Sequence, residues 1–257
     1  MQKISFAKYH GAGNDFVLID NRKNAISLSE KEVAFLCNRR LGIGADGLML
    51  LENADGFDFK MRYFNADGKE ATMCGNGGRC IVAFANRIGI KREKYLFTAI
   101  DGKHFAYLKK DTVKLQMTDV LAPNKFDSDW FLDTGSPHLV CKVDDIKQIN
   151  VSEKGKQLRY DSRFGAGGCN VNFIQLKENK INIRTYERGV EAETLACGTG
   201  AVASAIAANS LYPDIQEFEL EALGGILKVQ FEKSNNKYTN VWLEGPVAFV
   251  FEAEITI

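Results

Sequence analysis

The 257-residue chain has no long block of one charge sign: Lys plus Arg and Asp plus Glu number 33 each, and the formal net charge is zero. This balance argues against a nucleic-acid partner, which an electropositive surface would have to attract. No apolar run is long enough to span a bilayer; the longest helix-like one, Ala201 to Ala208, is short and Ala-rich, so no membrane partner is expected. The opening residues, Met1-Gln-Lys-Ile-Ser-Phe-Ala-Lys, lack the apolar core of a signal peptide and lead into an alternating strand, so a cytoplasmic protein is expected. The six cysteines (37, 74, 80, 141, 169 and 197) contain no C-x-x-C pair, which gives little support to structural zinc. No export signal points to a disulfide framework either. Histidine is scarce, with three, and no low-complexity segment occurs. Hydrophobic residues are not scarce: at 45%, with 17 Phe, they suffice for a substantial core without metal or disulfide staples.

The most informative feature is a cysteine motif present twice. The first copy runs from Tyr63 to Cys74-Gly-Asn-Gly77 and the second from Tyr186 to Cys197-Gly-Thr-Gly200. The offset is 197 minus 74, or 123 residues. Glu70 and Glu193, Ser29-Glu-Lys31 and Ser152-Glu-Lys154, Arg40 and Arg163, and Ala85-Asn86 and Ala208-Asn209 all keep it. An ungapped match of this length predicts two copies of one fold unit, packed about a pseudo-two-fold axis.

Each half reads alike. A strand (Ile4–Tyr9; Trp130–Asp133) reaches a Gly-rich turn, then a second strand follows (Phe16–Asp20; Leu139–Val143). Ser27-Leu-Ser29-Glu reads as the cap of a helix running to about Arg40, with its counterpart starting at Ser152. Two further strands lead to the cysteine motif (Leu48–Glu52 and Phe57–Asn65; Val171–Leu176 and Lys180–Glu187), and a strongly apolar helix follows it (Gly77–Ile88; Gly200–Leu211). Three alternating strands close each half. The expected fold is α+β: two pseudo-symmetric lobes, each a curved, mostly antiparallel sheet wrapped around a central helix, with the active site between them. The expected lobes are residues 1–120, joined by the C-terminal strand 249–257, and residues 121–248.

Free cysteines are usually small buried hydrophobes, and Cys37, Cys80, Cys141 and Cys169 are read that way. Cys74 and Cys197 differ because each precedes a Gly-x-Gly turn that opens a buried helix. A helix N-terminus favours a thiolate. The N–H groups of Gly75-Asn76 and Gly198-Thr199 would also cradle a carboxylate. Two such termini could stabilise the dianionic carboxylate that forms when an α-proton leaves, with one thiolate as base and one thiol as acid. That scheme inverts a stereocentre and demands neither metal nor cofactor. Of the histidines, His104 reads as a surface or packing residue, His10 stays open, and His138 falls at the mouth of the same cleft, opposite Asp15 by the repeat. Glu187-Arg188 could supply a carboxylate for a substrate amine and a guanidinium for a second carboxylate.

At His10-Gly-Ala-Gly-Asn-Asp-Phe16, Gly42-Ile-Gly-Ala-Asp-Gly47, Tyr63-Phe-Asn-Ala-Asp-Gly68, Cys74-Gly-Asn-Gly77, Pro137-His138, Asn170, Tyr186-Glu-Arg-Gly189 and Ala196-Cys-Gly-Thr-Gly200 the chain resembles the diaminopimelate epimerases. The resemblance implies interconversion of LL- and meso-2,6-diaminopimelate without pyridoxal phosphate, in lysine and peptidoglycan precursor synthesis. It implies Cys74 and Cys197 as acid and base, tuned by Glu187 and His138, which also contact the reacting amine. Asn14, Asn65, Asn170 and Arg188 would bind the distal end, and Gly75-Asn76 and Gly198-Thr199 the reacting carboxylate. A homodimer, with the last strand returned to the first lobe, is also implied. Two positions depart from the common pattern: Ser136, where many members carry Asn, and Gly47, where some carry Gln. Both positions touch substrate in the family. A racemase for histidine or proline derivatives is the nearest rival, and a redox or metal-binding dithiol protein the more distant one.

Overall fold

A computed structural model describes residues 2–257. The chain divides into two compact units, one running through Leu115 and resuming at Pro246–Ile257, the other spanning Gln116–Gly245.

In the first unit, β1 (Lys3–Gly11) and β2 (Asn14–Asp20) form a hairpin. Its two-residue loop, Ala12-Gly13, has φ of 52° and 85°, the left-handed pair that matches strand twist. Helix α1 (Glu30–Cys37) starts at a capping box: Ser29 Oγ accepts from the Glu32 N–H, and the Ser29 N–H donates to the Glu32 carboxylate. It ends before Arg40, short of the sequence expectation. Asn38 turns to extended backbone and its side-chain carbonyl accepts from the N–H groups of Arg40 and Leu41. The chain then folds back, with Ile43, Gly44 and Ala45 donating to the last α1 carbonyls. Asn38 offered the backbone a local alternative to another helical turn.

The chain continues into β3 (Gly47–Glu52), parallel to β2, and β4 (Phe59–Asn65), antiparallel to β3. A short β5 (Glu70–Ala71), which strand patterning does not reveal, pairs with the end of β4 and leads to α2 (Gly75–Arg87). Then β6 (Tyr95–Ala99) lies parallel to β4, and β7 (Gly102–Lys109) and β8 (Thr112–Gln116) continue as an antiparallel meander.

The second unit adds short strands β9 (Val120–Leu121) and β10 (Asn124–Phe126) before repeating the plan. The hairpin β11 (Asp129–Asp133) and β12 (Pro137–Lys142) is followed by α3 (Val151–Arg159), capped by Asn150, and β13 (Asn170–Lys177). Next come β14 (Lys180–Glu187), β15 (Ala192–Thr194), α4 (Gly198–Asn209), β16 (Glu217–Ala222), β17 (Gly225–Ser234) and β18 (Lys237–Pro246). Finally β19 (Ala248–Thr256) returns to the first unit, antiparallel to β1. The α+β, mostly antiparallel plan expected from sequence is what forms. Parallel pairing enters each unit twice, where a helix carries the chain across: β2/β3 and β4/β6, then β12/β13 and β14/β16.

Both central helices are enclosed by their own unit's strands. Cys80, Ile81, Val82 and Ala85 of α2, and Ala201, Val202, Ala203, Ala205 and Ile206 of α4, are fully buried. α4 is apolar all round and needs such enclosure, whereas α2, expected from sequence to be equally apolar, buries Asn76 and Arg79 too and leaves Arg87 exposed. The consequence for function is positional: the N-termini of α2 and α4 are held by the core, not by mobile loops.

Candidate active site

Cys74 is the N-cap of α2 and Cys197 the N-cap of α4; both have extended backbone, and neither side chain caps its own helix. The helices begin at Gly75 and Gly198, two residues earlier than the sequence reading. The glycines therefore belong to the first turn, where N–H groups have no intrahelical carbonyl.

Around Cys74, Asn14 orders the polar groups. Its Nδ2 donates to Asp46 Oδ2 (2.6 Å), which turns its Oδ1 toward Asn76 Nδ2 (3.1 Å) and the Cys74 Sγ (3.8 Å). Beneath lies Arg79, fully buried, donating to Asn76 Oδ1 (2.8 Å) and to the Gly75 carbonyl (3.2 Å). Asp15 binds Lys8 (2.7 Å) and takes a two-pronged contact from Arg39 (2.7 and 3.0 Å). Burial pushes the Asp15 carboxyl up, but hydrogen bonds from Arg39 and Lys8 outweigh it and hold it well below the ordinary range. Asn65 is exposed at the end of β4, outside this network.

Around Cys197, the ordering residue is His138, which is fully buried. Its Nε2 lies 3.0 Å from Thr199 Oγ1, and Thr199 Oγ1 lies 3.4 Å from the Cys197 Sγ. Its Nδ1 faces Asn172 Nδ2 at 3.0 Å. The same Nδ2 donates to the Leu139 carbonyl (3.2 Å), and Asn172 Oδ1 accepts from Thr185 Oγ1 (3.0 Å), so the amide orientation is fixed. Nδ1 is then the acceptor and Nε2 carries the proton. That proton goes to Thr199, whose hydroxyl in turn meets the Cys197 sulfur in a contact where either atom can donate. Burial, with Arg188's charge, pulls the His138 pKa down to about 3, so the ring is neutral near pH 7. His138 therefore reaches Cys197 through a hydroxyl. Gly200 is required beside this network, because a Cβ there would collide with the Asn172 side chain.

The remaining residues named from sequence in this unit cluster at the ends of β12, β13 and β14. Asn170 Nδ2 donates to Ser136 Oγ (2.9 Å), its Oδ1 accepts from the Arg188 N–H (2.8 Å), and Arg188 Nη2 reaches Ser136 Oγ at 3.5 Å. The Arg188 side chain is exposed. Glu187 accepts from Thr194 Oγ1 at 2.9 Å. His104, expected on sequence to be a surface or packing residue, is buried and stacks on Phe97 (5.2 Å between centroids). His10 accepts from the Gly13 N–H (3.4 Å) in the β1/β2 turn. Cys37, Cys80, Cys141 and Cys169 are buried free thiols with pKa values raised by burial, Cys37 and Cys169 to about 11.

Gly47 is explained by packing. An added Cβ would lie 2.6 Å from the Tyr63 ring and 2.7 Å from the Phe64 carbonyl, so β3 admits no side chain there. Arg79, Asn172 and Thr185 were missed by sequence reasoning. Arg79 carried a signal, as a charged residue next to the apolar run Cys80-Ile81-Val82 of α2. Asn172 and Thr185 look like ordinary strand residues until β13 and β14 are paired at that very position.

Solved structures with this fold include a Bacillus anthracis phenazine biosynthesis protein of the PhzF family, with TM-score 0.80 at 15% identity over the whole of both chains. Another is an Agrobacterium vitis hydroxyproline epimerase with bound trans-4-hydroxy-L-proline, with TM-score 0.69 at 13% identity over 99% of this chain and 91% of that one. The fold class is thus one shared with amino-acid epimerases. Within it, the diaminopimelate epimerase family pattern matches residues 6–121 and 130–250. A diaminopimelate epimerase from Flavobacterium psychrophilum is 48% identical over 96% of this chain and 98% of its own length. One from Chlorobaculum tepidum is 41% identical over 96% and 99%. The chain belongs to the diaminopimelate epimerase family.

Proposed function

We propose that this protein inverts an α-carbon of LL-2,6-diaminopimelate to give the meso form, in lysine and peptidoglycan precursor synthesis. The observation that carries this reading is that each unit ends its cysteine motif identically, with a thiol at the uncapped N-terminus of a core-enclosed helix. One cysteine, as thiolate, takes the α-proton; the other, as thiol, delivers a proton to the opposite face, and the roles exchange for the reverse reaction. Negative charge developing on the carboxylate is met by N–H groups of Gly75-Asn76 and Gly198-Thr199 and by the two helix dipoles. Glu187 and His138 tune the thiols, His138 through Thr199. Asn14, Asn65, Ser136, Asn170 and Arg188 serve the substrate's far end, whose charge suits a guanidinium and not an apolar proline ring.

The test is α-proton exchange followed by NMR in deuterated water, with LL-diaminopimelate beside a panel including proline and histidine. Exchange of diaminopimelate alone is expected; a preference for another amino acid would replace this substrate. Bound zinc or a reversible disulfide without exchange would favour the redox or metal reading.

The same reading makes the protein a cytoplasmic homodimer. Support for the dimer is β19, which pairs with β1 yet leaves Phe249, Val250 and Phe251 exposed. Sedimentation of the wild type as a monomer at micromolar concentration would remove the dimer.

A further inference from the structure

Arg79 is the anomaly of the first unit. Its side chain is fully buried, yet among the described residues it forms no ion pair, and its Nε has no hydrogen-bond partner. Its hydrogen-bond acceptors are neutral: the Asn76 side chain and the Gly75 carbonyl. Burying a guanidinium without a carboxylate is costly, and natural cores avoid it. Packing does not demand it either. The repeat offset places Val202 at the equivalent position of α4, also fully buried, so this helix-in-sheet plan accepts an apolar side chain there. The charge sits one turn into α2, whose N-cap residue is Cys74.

We infer that Arg79 is an electrostatic positioning residue for Cys74: its uncompensated charge, added to the α2 N-terminus, holds the Cys74 sulfur as the anion, and its fork fixes Asn76 and through it Asn14. The missing counter-charge is the thiolate itself. This rests on the reading of Cys74 as an acid–base group, but its test does not require turnover. Asn14 Oδ1 facing sulfur favours the protonated thiol, so without Arg79 the balance at Cys74 tips toward S–H. In the second unit the Thr199 hydroxyl, fed by His138, serves the sulfur in place of a buried cation.

The test compares full-length wild type with Arg79→Met and Arg79→Lys, measuring thermal unfolding, iodoacetamide alkylation of each cysteine by peptide mapping at pH 7, and exchange kinetics. Arg79→Met is expected to unfold at or above the wild-type temperature, because a desolvated charge is removed. Its Cys74 alkylation slows about tenfold while that of Cys197 is unchanged, and kcat falls about a hundredfold. Arg79→Lys keeps the charge and recovers most of the alkylation rate. A merely structural role would move stability and leave the alkylation contrast untouched. Cys74 alkylation and kcat of Arg79→Met within about twofold of wild type would overturn the inference. If Arg79→Met fails to fold, Arg79→Gln, which keeps donors for Asn76, is read by the same criteria. Failure of both to fold makes Arg79 a folding residue and also overturns it. A wild type without proton exchange would sink the proposed function, while the alkylation contrast would still decide Arg79.

Discussion

The two halves of this chain share one backbone plan and surround their cysteines with different chemistry. At the offset of 123, Asn14-Asp15 is matched by Pro137-His138, Asn76 by Thr199, Gly47 by Asn170, Met49 by Asn172, Asn65 by Arg188 and Arg79 by Val202. In the first half the helix itself carries a buried cation, Arg79, and the strand residue packed against Gly77 is a methionine. In the second half the helix position is apolar and the strand supplies an amide, which sets the tautomer of a neutral histidine. What the halves keep is the cysteine, the glycines and the helix N-terminus. The difference teaches that duplication kept a thiol at each helix N-terminus and left each unit its own polar surroundings for it.

The strongest way to break the comparison is to remove one sulfur at a time. Cys74→Ser and Cys197→Ser should each lower exchange-coupled inversion by about a thousandfold or more, since a serine hydroxyl is a far weaker acid and base than a thiol. Unfolding temperatures should stay near wild type, because neither cysteine caps its helix through its side chain. Most of the inversion rate surviving in either variant would show that the halves are not equivalent partners.

Next in size is His138, on which only the second half depends. His138→Asn breaks the relay to Thr199, and kcat should fall on the order of a hundredfold. Cys197 alkylation should slow while that of Cys74 is unaffected; equal slowing of both would sink the assignment. The same residue sets a pH dependence. Its folded pKa of about 3 lies below the unfolded value of about 6.5, so the unfolded chain binds the proton first as pH falls. The stability this group supports is complete above about pH 6.5 and is lost progressively toward pH 3, by several kcal/mol at most. Urea unfolding between pH 7 and pH 4 should show a shallower loss in His138→Asn. A parallel loss in both proteins would place the acid sensitivity elsewhere; Asp15, lowered by its Lys8 and Arg39 partners, would add its own loss only below about pH 4.

A smaller effect is expected at Arg188, whose first-half counterpart is Asn65. Its side chain is exposed and touches Ser136 only at 3.5 Å, so the fold barely uses it. Arg188→Ala should raise KM for diaminopimelate about tenfold or more with little change in unfolding temperature. Unchanged KM and kcat would remove the guanidinium from substrate binding.

Much of this was legible before any coordinates. Cys74 and Cys197 stood out because their context recurred, and α2 and α4 because apolar residues such as Ile81, Val82, Ala205 and Ile206 cover more than one helix face. Secondary structure failed where a side chain outbid the backbone pattern: Asn38 stopped α1 early, and β5 and β15 are too short to show periodicity. The supporting chemistry was harder to see. Asn172 and Thr185 meet only through the β13/β14 register, and periodicity cannot reveal which cross-strand pair carries a hydrogen bond. Arg79 was visible as a residue, but its lack of a carboxylate is a property of packing.

Gly47 sharpens the comparison at the level of stability. Its counterpart Asn170 bonds Ser136 and the Arg188 backbone, whereas position 47 has no room for any side chain. The reason is local: Tyr63, two residues along β4 from Gly47's partner Asn65, crosses the space and packs edge-on against Phe16 at 6.0 Å. A methyl group at 2.6 Å from that ring must displace either the tyrosine or strand β3, and the Phe64 carbonyl at 2.7 Å blocks the easy retreat. Overpacking of this kind costs about 1–3 kcal/mol. Gly47→Ala should therefore lower the urea midpoint while leaving kcat within about twofold of wild type. Gly47→Ala combined with Tyr63→Leu, which clears the ring, should recover part of the loss. If Gly47→Ala were as stable as wild type but changed substrate preference, position 47 would belong with Asn170 after all, as a binding position that lost its side chain.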